Sequence, residues 1–472
     1  MNLASRALVF GVLFLGAAPL GAQALPDAAW VGSWLGELKA GAVTLRIVFT
    51  IASTDGALSA TMDSPDQGAK GIPVSAVTVT ADAIRLEVKV ANAWYAGTLT
   101  TDGKSIDGTW NQGGAVFPVL LSRLPGAFTL ERPQDPKPPF PYTAQDVTFP
   151  NQKAGVQLAG TLTIPAGKGR FPAVVLVTGS GPQNRDEAIM GHKPFAVIAD
   201  FLSRNGIAVL RYDDRGVAGS KGSFAGSTTL DFADDAEAAF GYLAARPEVD
   251  PKRVGILGHS EGGLIAPIVA ARNPAVGFIV LLAGPGVRGD QLILAQGDAL
   301  ARAAGTDAAT ADWSHALNAK LYQIIEQPGD PAANAAEAKD TLLAGIDSAP
   351  KLTDQERQTA KAQADNSIAQ LSSAWFRLFL SLDPATYLSH VTVPVLALNG
   401  TLDLQVPPDL DLPAIQAALT TAGNKHYTLM KLDGLNHLFQ HATTGLPDEY
   451  GKLTETFAPE ALSAIRDWIL AR

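Results

Sequence analysis

One stretch restricts the architecture more than any other: Arg253-Val254-Gly255-Ile256-Leu257-Gly258-His259-Ser260-Glu261-Gly262-Gly263-Leu264-Ile265. Val254, Ile256 and Leu257 read as a short buried strand. Gly258 to Gly262 reads as a sharp turn, and Leu264, Ile265, Ile268 and Val269 as the apolar face of a helix ending near Asn273-Pro274. The turn carries the one G-x-S-x-G of the chain. A serine on a strained strand-to-helix turn has its Oγ held clear of the backbone. The helix N-terminus behind it favours developing negative charge. Strand and helix approach closely there, so small residues are needed on both sides, and Gly258 and Gly262 supply them. The bland reading is an ordinary glycine-rich connection. The sharper one makes Ser260 a nucleophile, and it requires a sheet of alternating strands and helices around it.

The surrounding sequence supplies that sheet. Strands are expected at Asp146–Phe149, Val156–Ile164, Ala173–Val177, Ala208–Tyr212, Phe278–Ala283, Val393–Leu398 and His426–Leu432. Helices fall between them at Phe195–Arg204, Leu230–Ala245, Leu412–Thr421 and Pro459–Leu470. This alternation predicts a mostly parallel, doubly wound α/β sheet. From about 287 to 389 the strand rhythm stops and Ala, Gln, Asp and Lys dominate at helical spacing. That segment reads as a helical cap inserted between two core strands, placed where a lid could sit. No Gly-rich dinucleotide fingerprint or phosphate loop is present.

The N-terminal part differs. Residues 25–128 are expected to form a small all-β domain, with apolar rows Val43-Leu45-Ile47-Phe49 and Ile84-Leu86-Val88-Val90 and turn signals at Asp55-Gly56 and Asp102-Gly103. Trp30, Trp34, Trp94 and Trp110 fit an aromatic core better than a ligand groove. Pro133, Pro136, Pro138, Pro139 and Pro141 then mark a linker over 129–145, leaving 146–472 as the second domain. Before all of this, Arg6, an apolar run from Ala7 to Leu20, and Ala22-Gln23-Ala24 predict a signal peptide over 1–24. The mature protein is therefore expected to be exported, periplasmic or secreted, with no stable membrane span.

A net charge of -10 argues against nucleic acid as a partner, and the absence of cysteine excludes disulfides and thiolate chemistry. A serine nucleophile needs a base within hydrogen-bond reach, and the base needs an orienting acid. Of the seven histidines, His437 lies in a glycine-containing loop just past the last expected strand, with His441 as its rival. His259 adjoins Ser260, and the tight turn should point it elsewhere. For the acid, Asp403 follows the strand after the cap, and Asp433 is the runner-up. Asp409 and Asp411 read as solvated or helix-capping. An oxyanion needs preorganised N–H donors. Glu261, next after the serine, offers one, and Ser180 in the loop Thr178-Gly179-Ser180-Gly181-Pro182 offers the other. Asp214 and Arg215 read as loop-fixing ion-pair residues.

The fragments Val177-Thr178-Gly179-Ser180-Gly181, Arg211-Tyr212-Asp213-Asp214-Arg215-Gly216, Gly258-His259-Ser260-Glu261-Gly262-Gly263, Leu398-Asn399-Gly400-Thr401-Leu402-Asp403 and Gly434-Leu435-Asn436-His437 carry a resemblance. Residues 147–472 resemble an α/β-hydrolase, and in particular bacterial serine esterases in which a small β-rich domain precedes the hydrolase fold. Thr178 departs from the pattern, since many such proteins carry histidine there. The resemblance implies a Ser–Asp–His order and a serine hydrolase acting on a small-molecule carboxylic ester without metal or cofactor. Two other readings stand beside it: a peptidase or amidase on the same triad, and a cell-envelope binding protein on an inert hydrolase scaffold.

Overall fold

The computed structural model describes residues 27–40, 43–80 and 82–472, so the expected signal peptide lies outside the described residues. The chain divides into two compact units, with the division falling between Thr129 and Leu130 apart from Asp66–Gly68, which group with the second unit.

The first unit is built on one antiparallel sheet of β1 (Gly32–Ala40), β2 (Val43–Thr54), β3 (Ala57–Ser64), β4 (Ala69–Pro73), β5 (Ala76–Thr80), β6 (Ala83–Val88), β7 (Ala93–Leu99), β8 (Ser105–Gln112) and β9 (Ala115–Arg123). The strand order is β4-β3-β2-β1-β9-β8-β7-β6-β5. β4 and β5 are the two ends of this order, yet only Val74 and Ser75 separate them in the chain. The sheet therefore has to curl so that its two ends come together at Val74-Ser75, as in a barrel. Period-two alternation sends Ile47, Phe49, Leu86, Tyr95 and Ile106 inward with Trp30, Trp34 and Trp110. Trp94 is different: it is half-buried on the outer side, with the Arg85 guanidinium 3.8 Å from its ring centre. Asp55 and Gly56 both take positive φ, 52° and 79°, as the two-residue β2–β3 turn demands.

The second unit holds an eight-stranded sheet. Its strands are β10 (Thr143–Asn151), β11 (Val156–Ile164), β12 (Phe171–Val177), β13 (Ala208–Tyr212), β14 (Val249–His259), β15 (Phe278–Leu282), β16 (Val395–Gly400) and β17 (Tyr427–Leu432). The order is β10-β11-β13-β12-β14-β15-β16-β17. The first two pairings are antiparallel and the rest parallel. Thr143–Gln145, read from the sequence as linker, already belong to β10 and pair with Leu162–Ile164 of β11.

The helices are α1 (Pro194–Arg204), α2 (Thr229–Ala244), α3 (Glu261–Arg272), α4 (Gly289–Ala303), α5 (Ala308–Glu326), α6 (Pro331–Ser348), α7 (Asp354–Leu371), α8 (Ala374–Ser381), α9 (Ala385–Leu388), α10 (Pro408–Thr421), α11 (Pro447–Tyr450) and α12 (Pro459–Leu470). α1 and α12 cover one sheet face, packing Ile198, Leu202, Leu462 and Ile465 on Leu176, Val209, Leu257 and Val280. α2, α3 and α10 cover the other, packing Phe232, Ala236, Ile268 and Ile415 on Val175, Ile256 and Ile279. Burial on both faces is why β15, Phe278-Ile279-Val280-Leu281-Leu282, is apolar without interruption. α4 to α9 form the insertion between β15 and β16, and its helices share a small core of their own around Leu321, Ile325, Ile368, Phe376 and Leu380.

Candidate active site

The parallel strands end in a row of loops at one edge of the sheet, and the candidate residues stand on them. β14 ends at His259, α3 begins at Glu261, and Ser260 between them has φ 53° and ψ -118°. A non-glycine residue there is strained, by about 1–3 kcal/mol. The turn is held by Ser260 N–H donating to the Leu282 carbonyl at 2.9 Å and by Gly263 N–H donating to the Ser260 carbonyl at 2.8 Å. The flanking glycines are obligatory. A Cβ on Gly258 would lie 1.8 Å from the Gly262 carbonyl oxygen, and one on Gly262 would lie 2.2 Å from that of Val177. Either side chain would force helix and strand apart.

His437 stands in the loop after β17, and Asp403 in the loop after β16. His437 Nδ1 lies 3.0 Å from each carboxylate oxygen of Asp403. Both side chains are buried, and the Gln405 and Val406 N–H groups donate to Asp403 Oδ1 at 2.9 Å each. The Asp403 carboxylate accepts the Nδ1 proton, so Nε2 is left as the basic nitrogen. The rivals lie elsewhere. Asp433 accepts from the Thr401 hydroxyl, and His441 is exposed between Glu455 and Glu460. His192 is spent on Thr456 and the Tyr450 carbonyl.

Ser260 and His437 line one cavity of about 280 Å³. No hydrogen bond joins Ser260 Oγ to His437, and contacts of this kind are often loose without substrate. Ser180 and Glu261 line the same cavity. The Glu261 N–H is the first of α3 and has no acceptor within its own helix. The loop bearing Ser180 lies against the serine, because a Cβ on Gly179 would be 3.1 Å from the Ser260 Cβ. Leu292 and Ile293 of α4, Trp375 and Phe379 of α8, and Val406 and Leu438 form an apolar wall. The cap helices thus contribute directly to the cavity.

Four buried carboxylates besides Asp403 fix this region, and of these the sequence marks only Asp214 for such a task. Glu187 Oε1 accepts from Gly179 N–H at 2.7 Å and lies 2.9 Å from His259 Nδ1. Asp214 accepts from the Thr178 hydroxyl and the Gln183 N–H, both at 2.8 Å. It fixes a loop, as expected, but through hydrogen bonds and not an ion pair. Burial pushes its carboxyl up to about 7 against those bonds. Arg215, by contrast, does form an ion pair, with Asp235. Glu261 Oε1 accepts from the Thr229 hydroxyl at 2.6 Å and from the Trp375 Nε1–H at 2.8 Å, which ties the cap to the elbow. Burial raises the Glu261 carboxyl above the usual range. Asp411 is neither solvated nor a helix cap. It is fully buried, accepts from Gly286 N–H at 2.7 Å, and burial pushes it up to about 7. Asp409 does stay at the surface, paired with Lys431. Thr178 acquires a role here too: its hydroxyl is what holds Asp214 to the loop after β12.

Among the described residues no helix is long and apolar enough to cross a membrane. Residues 192–442 match the family model described as serine aminopeptidase, S33. The chain is 30% identical over 286 residues to Esterase EstD of Thermotoga maritima, a match covering 60% of this chain and 58% of that one. The chain thus spans under two thirds of that relative's length. Among solved structures, the α/β hydrolase GrgF from Penicillium sp. sh18 is similar at 18% identity and a TM-score of 0.43, over 70% of this chain and 98% of its own. The esterase Pf2001 of Pyrococcus furiosus is similar at 16% identity and a TM-score of 0.43, over 73% of this chain and 99% of its own.

Proposed function

Because the chain belongs to the serine aminopeptidase, S33 family of α/β-hydrolases, we propose that it hydrolyses carboxylic esters through a Ser260–His437–Asp403 triad and an acyl-enzyme. The observation that carries this reading is Asp403 held 3.0 Å from His437 Nδ1 while His437 and the strained Ser260 share one cavity. In the proposed reaction Ser260 Oγ attacks the ester carbonyl and His437 Nε2 takes its proton. Asp403 keeps the imidazole in the Nδ1–H tautomer and stabilises the imidazolium. The Glu261 and Ser180 N–H groups face the oxyanion. His437 then returns the proton to the leaving alcohol, and water, activated by the same base, releases the acid.

The match to an esterase supports ester over amide cleavage, and so does the cavity. Its two wall carboxylates, Glu187 and Glu261, could in principle recognise a substrate amine. Each is already engaged, Glu187 by Gly179 and His259 and Glu261 by Thr229 and Trp375. Parallel assays on p-nitrophenyl esters and aminoacyl amides test the choice, and faster amide turnover would reverse it. A fluorophosphonate should label wild type once and Ser260→Ala not at all, and labelling that persists in the variant removes Ser260 from the mechanism. Export belongs to the same proposal. Arg6, the apolar Ala7–Leu20 run and Ala22-Gln23-Ala24 support it. The secreted product should begin at Leu25, and a product retained in the cytoplasm with its N-terminus intact would refute export.

A further inference from the structure

The sequence makes His259 the neighbour of the serine, and the tight turn should point this histidine elsewhere. Its ring in fact lies beside the base, with ring centres of His259 and His437 4.8 Å apart. It is buried, and both of its nitrogens are engaged. Nδ1 is 2.9 Å from Glu187 Oε1, and Nε2 is 3.0 Å from the backbone carbonyl oxygen of His437. A carbonyl oxygen can only accept, and so can an ionised carboxylate, whereas a neutral imidazole has one N–H to give. Both contacts are hydrogen bonds only if both ring nitrogens carry protons.

We propose that His259 is a permanent imidazolium clamped between the Glu187 carboxylate and the His437 main chain, and that Glu187 and His259 are positioning residues for the catalytic base. The inference rests on the triad reading for its consequence, not for the clamp itself. Three separate loops meet at this pair. Glu187 Oε1 also takes the Gly179 N–H, so one oxygen joins the oxyanion loop to the residue before the nucleophile. His259 Nε2 then joins the elbow to the loop carrying His437. The charged groups around the ring suit a cation. Burial disfavours it, but Glu187, the His437 carbonyl and Asp403 outweigh burial and hold the ring's pKa above the usual histidine value. Neither Lys nor Arg lines the cavity on which His259 borders, and Glu261, the other acid there, turns to Thr229 and Trp375. The carboxylate has a second effect. A lone imidazolium beside His437 would oppose the positive charge that His437 acquires in the transition state, and Glu187 cancels it.

A glutamine cannot replace Glu187 without loss. The same oxygen receives both Gly179 N–H and His259 Nδ1–H. An amide oxygen there still needs a charged ring but no longer stabilises one, and an amide nitrogen there would face the Gly179 donor. The test uses the whole protein labelled with ¹⁵N-histidine, in which only seven histidines report. His259, assigned by the signal missing from His259→Gln, should show two protonated ring nitrogens at pH 7. A single protonated nitrogen at pH 7 overturns the clamp, whether or not the variants fold. Glu187→Gln should lose the second ring proton below pH 7 and lower kcat by about 10–100-fold, the cost of a base displaced by an ångström or less, with KM nearly unchanged. Glu187→Asp, which restores the charge, should recover part of kcat and the second proton. Wild-type kcat in folded Glu187→Gln overturns the positioning role. Fluorophosphonate labelling of wild-type Ser260 separates the two ideas: if it fails, the triad reading falls while the ring-proton count still decides the clamp.

Discussion

Asp403→Asn tests the acid with the least disturbance of shape, and the surroundings of Asp403 say how the amide would sit. Oδ1 accepts the Gln405 and Val406 N–H groups at 2.9 Å, so the amide oxygen must take that place. The amide nitrogen then occupies the Oδ2 position, 3.0 Å from His437 Nδ1 and 3.5 Å from Asn399 Nδ2. There it can only donate. It would hold Nδ1 unprotonated and put the ring proton on Nε2, where the serine needs a base. The analogous substitution in a serine protease costs about four orders of magnitude in kcat, or roughly 5.5 kcal/mol of barrier. A loss of about 10⁴ in kcat at neutral pH is expected here on a p-nitrophenyl ester, with KM within a few-fold. Thermal melting should change little, since the two backbone bonds survive. Asp433→Asn, exposed and bonded only to the Thr401 hydroxyl, should be nearly silent. A loss under tenfold for folded Asp403→Asn, or a larger loss for Asp433→Asn, would refute the reasoning.

Trp375→Phe keeps the aromatic wall but removes the N–H that reaches Glu261. The buried carboxylate then lacks a donor at a cost of about 1–3 kcal/mol, which should appear as a lower Tm, and relative activity on bulky against acetate esters should shift. Asp411 sets a pH signature. Its unfolded carboxyl titrates near 3.9 and the folded one at about 7, so the folded state favours the neutral acid. That contribution is fully present below about pH 4 and is lost as pH rises to about 7. Asp411→Asn should therefore flatten the decline of Tm between about pH 4 and 7, and an unchanged slope would remove Asp411 as its source.

What was legible in the sequence was what short-range pattern records. The elbow could be read because strand, turn and helix are contiguous and the clash at Gly258 lies within four residues of its partner, Gly262. The central strands could be read because burial on both faces leaves continuous apolar runs such as Phe278–Leu282. Asp403 and His437 stand out as candidates because their loops follow predicted strands, and the structure brings the two side chains within hydrogen-bond distance. Glu187 left no such trace. It lies 72 residues from His259, in a loop without periodicity, and its importance comes from where the chain returns to. The sequence suggests a solvated or capping role for Asp411 because an acid in the first turn of a helix has an obvious local explanation. Only the three-dimensional arrangement shows Gly286 and Val287 donating to it.

The distribution of these acids explains how loops with no regular structure hold a site on the edge of a rigid sheet. Asp403 holds His437, Glu187 joins the Gly179 amide to the elbow, and Asp214 holds the Thr178 and Gln183 positions of the loop after β12. Glu261 holds the cap through Trp375, and Asp411 holds the Gly286-Val287 step where the chain leaves the sheet for the cap. A carboxylate suits this work because each oxygen can accept more than one N–H or O–H, so a single side chain can join two segments. The cost is desolvation, which is why Asp214, Glu261 and Asp411 are all raised. Apolar residues of the same volume would remove that cost. They would also leave the amides of Gly179, Gln183 and Gly286 without their acceptors, and the loops free to move by the ångström that catalysis cannot tolerate. The stability given up in these groups is therefore tied to the geometry of the site, and substitutions that recover it should do so at the expense of kcat.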